Sequence, residues 1–201
     1  MSIPTLQSVL AQGQLIAPDT FDGISTRAAE HMGCKGALLS ASALTHTVHG
    51  TPDEGTLSTS EMVWSLSRFV EDNCSIPLIV EVRSGFSDNL RIMPYDLERI
   101  VKAGAAAMLL DDRAFGCGSD SPEIILVSPE VFAQKVAIAV EAASNTDCMV
   151  LARSYARQTL LPDVRRLRRQ APKWLELCVC ILRRRPKNLP RQFPVQNSGV
   201  T

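Results

Sequence analysis

The sequence predicts an α/β fold with a parallel sheet, of the (β/α)8 TIM-barrel type and incomplete after its fifth strand. Three observations carry this expectation. Two apolar runs, Pro77 to Val82 broken only by Glu81 and Ala105 to Leu110, read as strands buried on both faces, as parallel sheets require. Such runs alternate with segments of helical periodicity at spacings of about 25 to 40 residues, which suits a barrel. No G-x-G-x-x-G follows the first strand, which argues against a dinucleotide fold.

Each element has its own signal. Leu15-Ile-Ala-Pro18 is a short first strand, and Asp22 to Gly33 a helix with Ile24, Ala28, Ala29 and Met32 on one face, stopped by glycine. Gly36 to Ser40 is the second strand. After a Thr-Pro-Asp-Glu-Gly loop, a helix from Ser60 sets Met62, Val63, Leu66, Phe69 and Val70 at helical spacing. The third strand, Leu78 to Val82, leads through Gly85 to a helix over Pro94 to Ala103. The fourth, Ala106 to Leu110, precedes a Gly- and Ser-rich loop and a helix opened by Ser128-Pro129-Glu130 and running to Ala143. Cys148 to Ala152 is the fifth strand, ending at Arg153.

Both long runs end in charge, Glu81-Val-Arg83 and Asp111-Asp112-Arg113. The C-terminal ends of barrel strands are where such folds keep their chemistry, so Glu81 and Asp111 are candidate functional acids. Asp112 reads instead as structural, since an acid at a strand end can also cap the next helix or sit solvated.

The chain has 201 residues, 45% hydrophobic and 21% charged, which is ordinary for one globular domain. It lacks an apolar stretch of the roughly 18 to 20 residues needed to span a membrane, and its N-terminus lacks a basic-then-apolar secretory pattern. A cytoplasmic protein is expected. The cysteines at 34, 74, 117, 148, 178 and 180 form no C-x-x-C pair and no regular framework, so reduced thiols are expected and a zinc site is not. His46 and His49 lie three apart beside a Gly-Thr-Pro turn, and read as a polar loop without a metal role.

The formal net charge of zero hides a division. Residues 1–152 hold 9 Lys+Arg against 19 Asp+Glu, a balance of −10, and residues 153–201 hold 12 against 2, a balance of +10. Two domains follow: a β/α barrel portion over 1–156, and a basic, Pro/Arg-rich tail over 157–201 with Arg165 to Arg169 and Arg183 to Arg185 as its densest runs. Trp174 to Leu182 is its one apolar, strand-like stretch. Without interleaved aromatics these runs do not specify nucleic-acid binding, and a solvated tail is the plainer reading. A sharper one is translation out of frame. Read from the last base of the Lys173 codon, the codons of Trp174 to Cys180 permit an apolar strand where a sixth barrel strand belongs, and shifted CGN arginine codons yield small residues.

The residues also resemble a family. Leu15-Ile-Ala-Pro-Asp-Thr-Phe-Asp-Gly-Ile-Ser-Thr-Arg-Ala-Ala-Glu-His-Met-Gly33, Leu38-Leu-Ser40, Gly50-Thr-Pro-Asp53, Glu81-Val-Arg83-Ser-Gly85-Phe86, Ala103-Gly104 to Asp112, and Leu151-Ala-Arg153-Ser are similar, in order and approximate spacing, to the isocitrate lyase/phosphoenolpyruvate mutase superfamily. The resemblance covers about residues 5 to 156 and implies a C-terminally truncated or frame-shifted barrel.

What it implies chemically is a carbon–carbon lyase acting on a small 2-hydroxy or α-keto (di)carboxylate through an enolate-like intermediate, with Mg2+ or Mn2+ stabilising the developing negative charge. The hydrolase and mutase branches, and a catalytically impaired remnant, are its alternatives; a basic-tail binding protein is a second alternative. By position Asp53, Glu81 and Asp111 match metal-side acids, Ser40 a substrate contact, Arg153 a carboxylate clamp and catalytic residue, and Cys117 a catalytic loop cysteine. A homo-oligomer is implied, weakened if the C-terminal helices are missing.

Three departures from the family pattern stand out. Glu81 and Arg83 replace Asp-x-Asp, Asp111 replaces a glutamate, and the loop at Ala114 to Asp120 keeps a Cys-Gly pair without neighbouring Lys or His. A guanidinium about 4 Å from a cation costs roughly 4 kcal/mol per unit charge at an effective dielectric of 20. Arg83 must therefore point away from any metal, or the metal is weakened or lost.

Overall fold

The computed structural model describes residues 3–71, 74–156 and 178–182. Its centre is one sheet of β1 (Asp19–Thr20), β2 (Ala37–Leu39), β3 (Leu78–Arg83), β4 (Ala107–Asp111), β5 (Met149–Ser154) and β6 (Cys178–Leu182), in that spatial order. The first five strands are parallel and neighbours in space are neighbours in sequence, the order of a barrel wall. β6 runs antiparallel to β5, with Leu151 opposite Ile181. The apolar stretch of the tail thus forms a strand over 178–182 but does not continue the β/α rhythm. The tail's basic runs lie outside the described residues.

The helices are α1 (Leu6–Leu10), α2 (Gly23–His31), α3 (Ala41–Leu44), α4 (Thr59–Glu71), α5 (Met93–Lys102) and α6 (Pro129–Ala142). Local chemistry starts them. Asp22 and Ser25 form a reciprocal capping box on α2, Pro94 occupies the first turn of α5, and the Ser128 side chain accepts from the Val131 N–H at the start of α6.

The two faces of the sheet are sorted by the period of two. Ala37, Leu39, Leu78, Val80, Val82, Met108, Leu110 and Val150 join Met62, Leu66, Leu97, Ile100, Val136 and Ala139 of the helices in the larger core. The alternate residues, Leu38, Ile79, Ala107, Leu109, Met149 and Leu151, form the interior core, with Leu6 of α1 beneath it. Continuing the interior parity to the strand ends reaches Ser40, Glu81, Asp111 and Arg153. This alternation is what positions the site.

Two expectations are corrected. The first strand lies at 19–20 rather than 15–18. Leu15 and Ala17 pack against the interior core instead, and Pro18 has no N–H for the ladder, although its carbonyl accepts from Leu38 at 2.9 Å. On α2 the buried positions are Thr26 and Ala29, whereas Ile24 is 80% and Met32 75% exposed. Of the expected stripe only Ala29 packs into the core, while Ile24 and Met32 face away from it.

Candidate active site at the strand ends

Glu81 and Asp111, the two acids that end buried strands, share one guanidinium. Arg153 Nη2 donates to Glu81 Oε1 and, at 3.0 Å, to Asp111 Oδ2. Asp111 is fully buried and also receives Arg113, through Nε at 3.2 Å on Oδ1 and Nη2 at 2.8 Å on Oδ2. Burial alone would raise the Asp111 carboxyl, but the hydrogen bonds and charge of Arg113, joined by Arg153, hold it below its ordinary value. Burial would lower the two guanidiniums, but Asp111 beside Arg113 and Glu81 beside Arg153 outweigh it and push both upward. The ring of Tyr155 lies over both guanidiniums, 4.6 Å from Arg113 and 5.0 Å from Arg153.

Glu81 ties this group to the next segment. Its Oε2 accepts from the Ala41 N–H at 3.0 Å, and the Ala41 carbonyl accepts from Thr45 Oγ1 at 2.9 Å. Ser40 is buried and caps α3, its hydroxyl accepting from Ala43 N. Asp19, the first residue of β1, is held above its ordinary value by desolvation and by the charge of Glu81.

Asp53 arrives from the loop after a π-helical turn, Thr45–His49, that closes on Gly50 with φ of 66°. It is fully buried. Gly55 N–H and Arg83 Nη2 donate to Oδ1, and the Ser119 N–H and hydroxyl donate to Oδ2, each at 2.9 Å. Burial raises this carboxyl, yet the Ser119 N–H and the Arg83 charge leave it lowered overall. The expected polar loop at His46 and His49 is thus a helical turn whose rings brace neighbours. His46 Nε2 meets Asp120 Oδ2 at 2.7 Å and His49 Nε2 meets Glu61 Oε1 at 2.6 Å. A cleft of about 650 Å3 lined by His46, Gly50, Thr51, Pro52, Glu54 and Asp120 lies on this flank, and none of the strand-end acids line it.

Arg83 does turn away from Glu81. The β3–β4 register slips between Glu81 and Arg83, and Arg83 sits at φ 52°, so its side chain leaves the strand toward Asp53 rather than following the parity of Glu81. A bulge at a strand end re-aims a side chain in this way, and a left-handed arginine costs on the order of 1–3 kcal/mol. Cys117 is buried in the loop after β4, its thiol 3.3 Å from the Glu123 carbonyl, and with Arg83, Ser84, Phe86 and Phe115 it lines a cavity of about 10 Å3. Asp112 is structural, but it braces the end of β5 rather than capping a helix, accepting from Ser154 Oγ and from the Tyr155 N–H at 2.8 Å.

Of the expected site residues, Ser40, Glu81, Asp111 and Arg153 meet at one strand-end rim, Asp53 joins through Thr45 and Arg83, and Cys117 faces its own loop. Sequence reasoning missed Arg113 and Tyr155. The signal for the former was present: acid-x-Arg stands at the end of both β3 and β4. Among the described residues no group of three or more His, Cys, Asp and Glu side chains is placed to hold a metal ion, and three buried guanidinium nitrogens, Arg83 Nε and Nη1 and Arg153 Nε, have no hydrogen-bond partner.

The structure is thus a barrel-type wall with acids and arginines gathered at the C-terminal ends of its strands. The chain belongs to the phosphoenolpyruvate phosphomutase family, whose model matches residues 6–169. It is similar to oxaloacetate decarboxylase 2 of Pseudomonas fluorescens, 32% identical over 158 residues that make up 75% of this chain and 54% of that protein. It is also similar to 2-methylisocitrate lyase of Escherichia coli, 31% identical over 130 residues, 64% of this chain and 43% of that protein.

Among solved structures, phosphonopyruvate hydrolase in complex with oxalate and Mg2+ is 30% identical with a TM-score of 0.67, covering 82% of this chain and 56% of that one. The fold is shared with 2,3-dimethylmalate lyase at a TM-score of 0.71, 24% identity, 81% of this chain and 56% of that one. These relatives are lyases, decarboxylases and hydrolases of small carboxylates. The chain spans about half the length of the curated relatives it matches.

Proposed function

We propose that this chain carries the substrate site of a carbon–carbon lyase for small 2-hydroxy or α-keto dicarboxylates, and that the site binds the carboxylate but turns it over poorly. The observation that carries the reading is Arg153. It is buried between Glu81 and Asp111 at the strand-end rim, and its Nε has no partner among the described residues. A buried guanidinium N–H without a partner suits an anionic oxygen such as that of a carboxylate. The Ser40 hydroxyl, next along the interior face, is the second group assigned to the ligand.

The residues at this rim do not fit Mg2+. Each of the three acids that match metal-side positions is already held by an arginine: Asp53 by Arg83, Glu81 by Arg153, and Asp111 by Arg113 and Arg153. A dication about 4 Å from one guanidinium meets a repulsion of about 8 kcal/mol at an effective dielectric of 20. No step is therefore assigned to a metal. Slow turnover follows, because the carboxylates that would act as bases are neutralised and the Cys117 thiol is turned onto its own loop.

Release of pyruvate or another keto acid from oxaloacetate, 2-methylisocitrate and 2,3-dimethylmalate, followed with a coupled dehydrogenase, tests the reaction. Rates far below those of an intact lyase are expected, together with an upward thermal shift by oxalate that Arg153→Met removes. Rapid turnover would refute the impairment. An oxalate shift that survives Arg153→Met would refute the site.

A further inference from the structure

We infer that the guanidinium groups of Arg83, Arg113 and Arg153 stand in for a divalent ion at the strand-end rim, so that it takes up no Mg2+ or Mn2+ and a bound carboxylate is met by arginine directly. The ligand half of this inference rests on the carboxylate-binding reading above; the exclusion of the ion does not.

Charge is balanced without an added cation. Asp53, Glu81 and Asp111 face Arg83, Arg113 and Arg153, three against three, and all six are 6% exposed or less. Of the other nearby acids, Asp112 is occupied by Ser154 and the Tyr155 N–H, and Asp19 is held above its ordinary value by desolvation and by the charge of Glu81, which favours its neutral form.

Each carboxylate oxygen already accepts at least one hydrogen bond. On Asp111, Oδ1 accepts from the Arg113 backbone and Nε, and Oδ2 from Arg113 and Arg153. On Asp53, Oδ1 accepts from Gly55 and Arg83 and Oδ2 from Ser119. On Glu81, Oε1 accepts from Arg153 and Oε2 from Ala41. Every carboxylate oxygen of the three acids is therefore an acceptor already in use, and a divalent ion, which needs one or two carboxylates beside its waters, would have to displace an arginine or a backbone N–H to reach one.

What the rim leaves open is of the opposite kind. Among the described residues the unpartnered buried side-chain atoms are donors, Arg83 Nε and Nη1 and Arg153 Nε. A cation has nothing to offer an N–H; an anionic oxygen does. The backbone points the same way, because β3 slips register and Arg83 takes a left-handed conformation that delivers its guanidinium onto Asp53.

The experiment is Mn2+ binding by electron paramagnetic resonance on the full chain, with oxalate titrations in chelator and in Mg2+ beside it. The free Mn2+ signal is expected to be undiminished at millimolar ion, and Arg83→Asp combined with Arg113→Gln is expected to raise Mn2+ affinity by at least about tenfold, since two guanidinium charges leave the rim. Tight Mn2+ binding by the unaltered chain would overturn the inference whether or not the variant folds. A variant that keeps its circular dichroism and thermal transition yet gains no Mn2+ would overturn the role of the guanidiniums.

Equal oxalate affinity in chelator and in Mg2+ supports the inference. Oxalate binding that requires Mg2+ overturns it and leaves carboxylate binding intact. No oxalate binding in either condition, with Mn2+ still excluded, refutes the carboxylate reading and upholds the exclusion of the ion.

Discussion

Replacing Arg113 by methionine tests whether the buried charges hold the strand ends together. The substitution keeps much of the aliphatic volume and removes two charge-assisted hydrogen bonds to Asp111, at 3.2 and 2.8 Å. Asp111 is fully buried, so it cannot turn to water. It keeps the Arg113 backbone N–H at 3.1 Å and Arg153 at 3.0 Å. Breaking a buried ion pair on one side costs about 3–5 kcal/mol, and the surviving Arg153 contact puts this case near 3. Loss of the guanidinium from the face of Tyr155 adds about 0.5–1 kcal/mol. A total near 3.5 kcal/mol lowers Tm by about 10 °C for a chain of this size.

Urea unfolding followed by circular dichroism measures the loss, with the slope against denaturant checked for constancy. The double variant Arg113→Met with Asp111→Leu is expected to recover about 2 kcal/mol, because no charge is then left alone in the core. A loss under about 1 kcal/mol, or a double variant no better than Arg113→Met, would refute the reasoning.

Three further outcomes follow from single observations. The Glu61 carboxyl accepts from His49 and from Ser58, and is lowered to about 2. A depressed carboxylate stabilises the fold above its unfolded value and loses that contribution as pH falls toward its folded one, so Glu61→Gln should melt lower than the unaltered chain near neutral pH and converge with it as pH drops from about 4.5 to 2; parallel curves would contradict this. Lys135 is fully buried and donates through Nζ to the carbonyls of Ser84 and Ser87 and to Asp88. Lys135→Met orphans two carbonyls at the turn after β3 and should cost about 2–3 kcal/mol in urea unfolding. For the tail, we propose the out-of-frame reading as a genetic prediction: sequencing genome and transcript across codons 150 to 160 should reveal an alternative frame encoding further barrel strands, and an intact frame with none would remove it.

The strands and their polarity were legible because a two-residue period survives in the sequence. Ile79 to Glu81, Leu109 to Asp111 and Leu151 to Arg153 are interior-parity runs that end in charge, and the structure brings those charges to one rim. The destinations of the arginines were not legible. Whether Arg83 follows Glu81 or leaves toward Asp53 depends on a one-residue register slip against β4, which is a property of two strands together. Arg113 folds back onto Asp111 two residues earlier, a contact within a loop that no periodicity marks. Lys135 offered a fainter clue, a lysine at a core position of α6 between Phe132, Val136 and Ala139. The α2 stripe misled because Ile24 and Met32 match helical spacing while the sheet takes the face of Thr26 and Ala29.

The central claim is that Arg153, gripped by Glu81 and Asp111, is the group that receives a small carboxylate. Calorimetric titration of oxalate into the unaltered chain and into Arg153→Lys, both in chelator, tests it most directly. The account predicts saturable binding to the unaltered chain and a loss of about ten- to a hundredfold in the variant, since lysine keeps the charge but not the planar fork. Equal affinity for both proteins would contradict it.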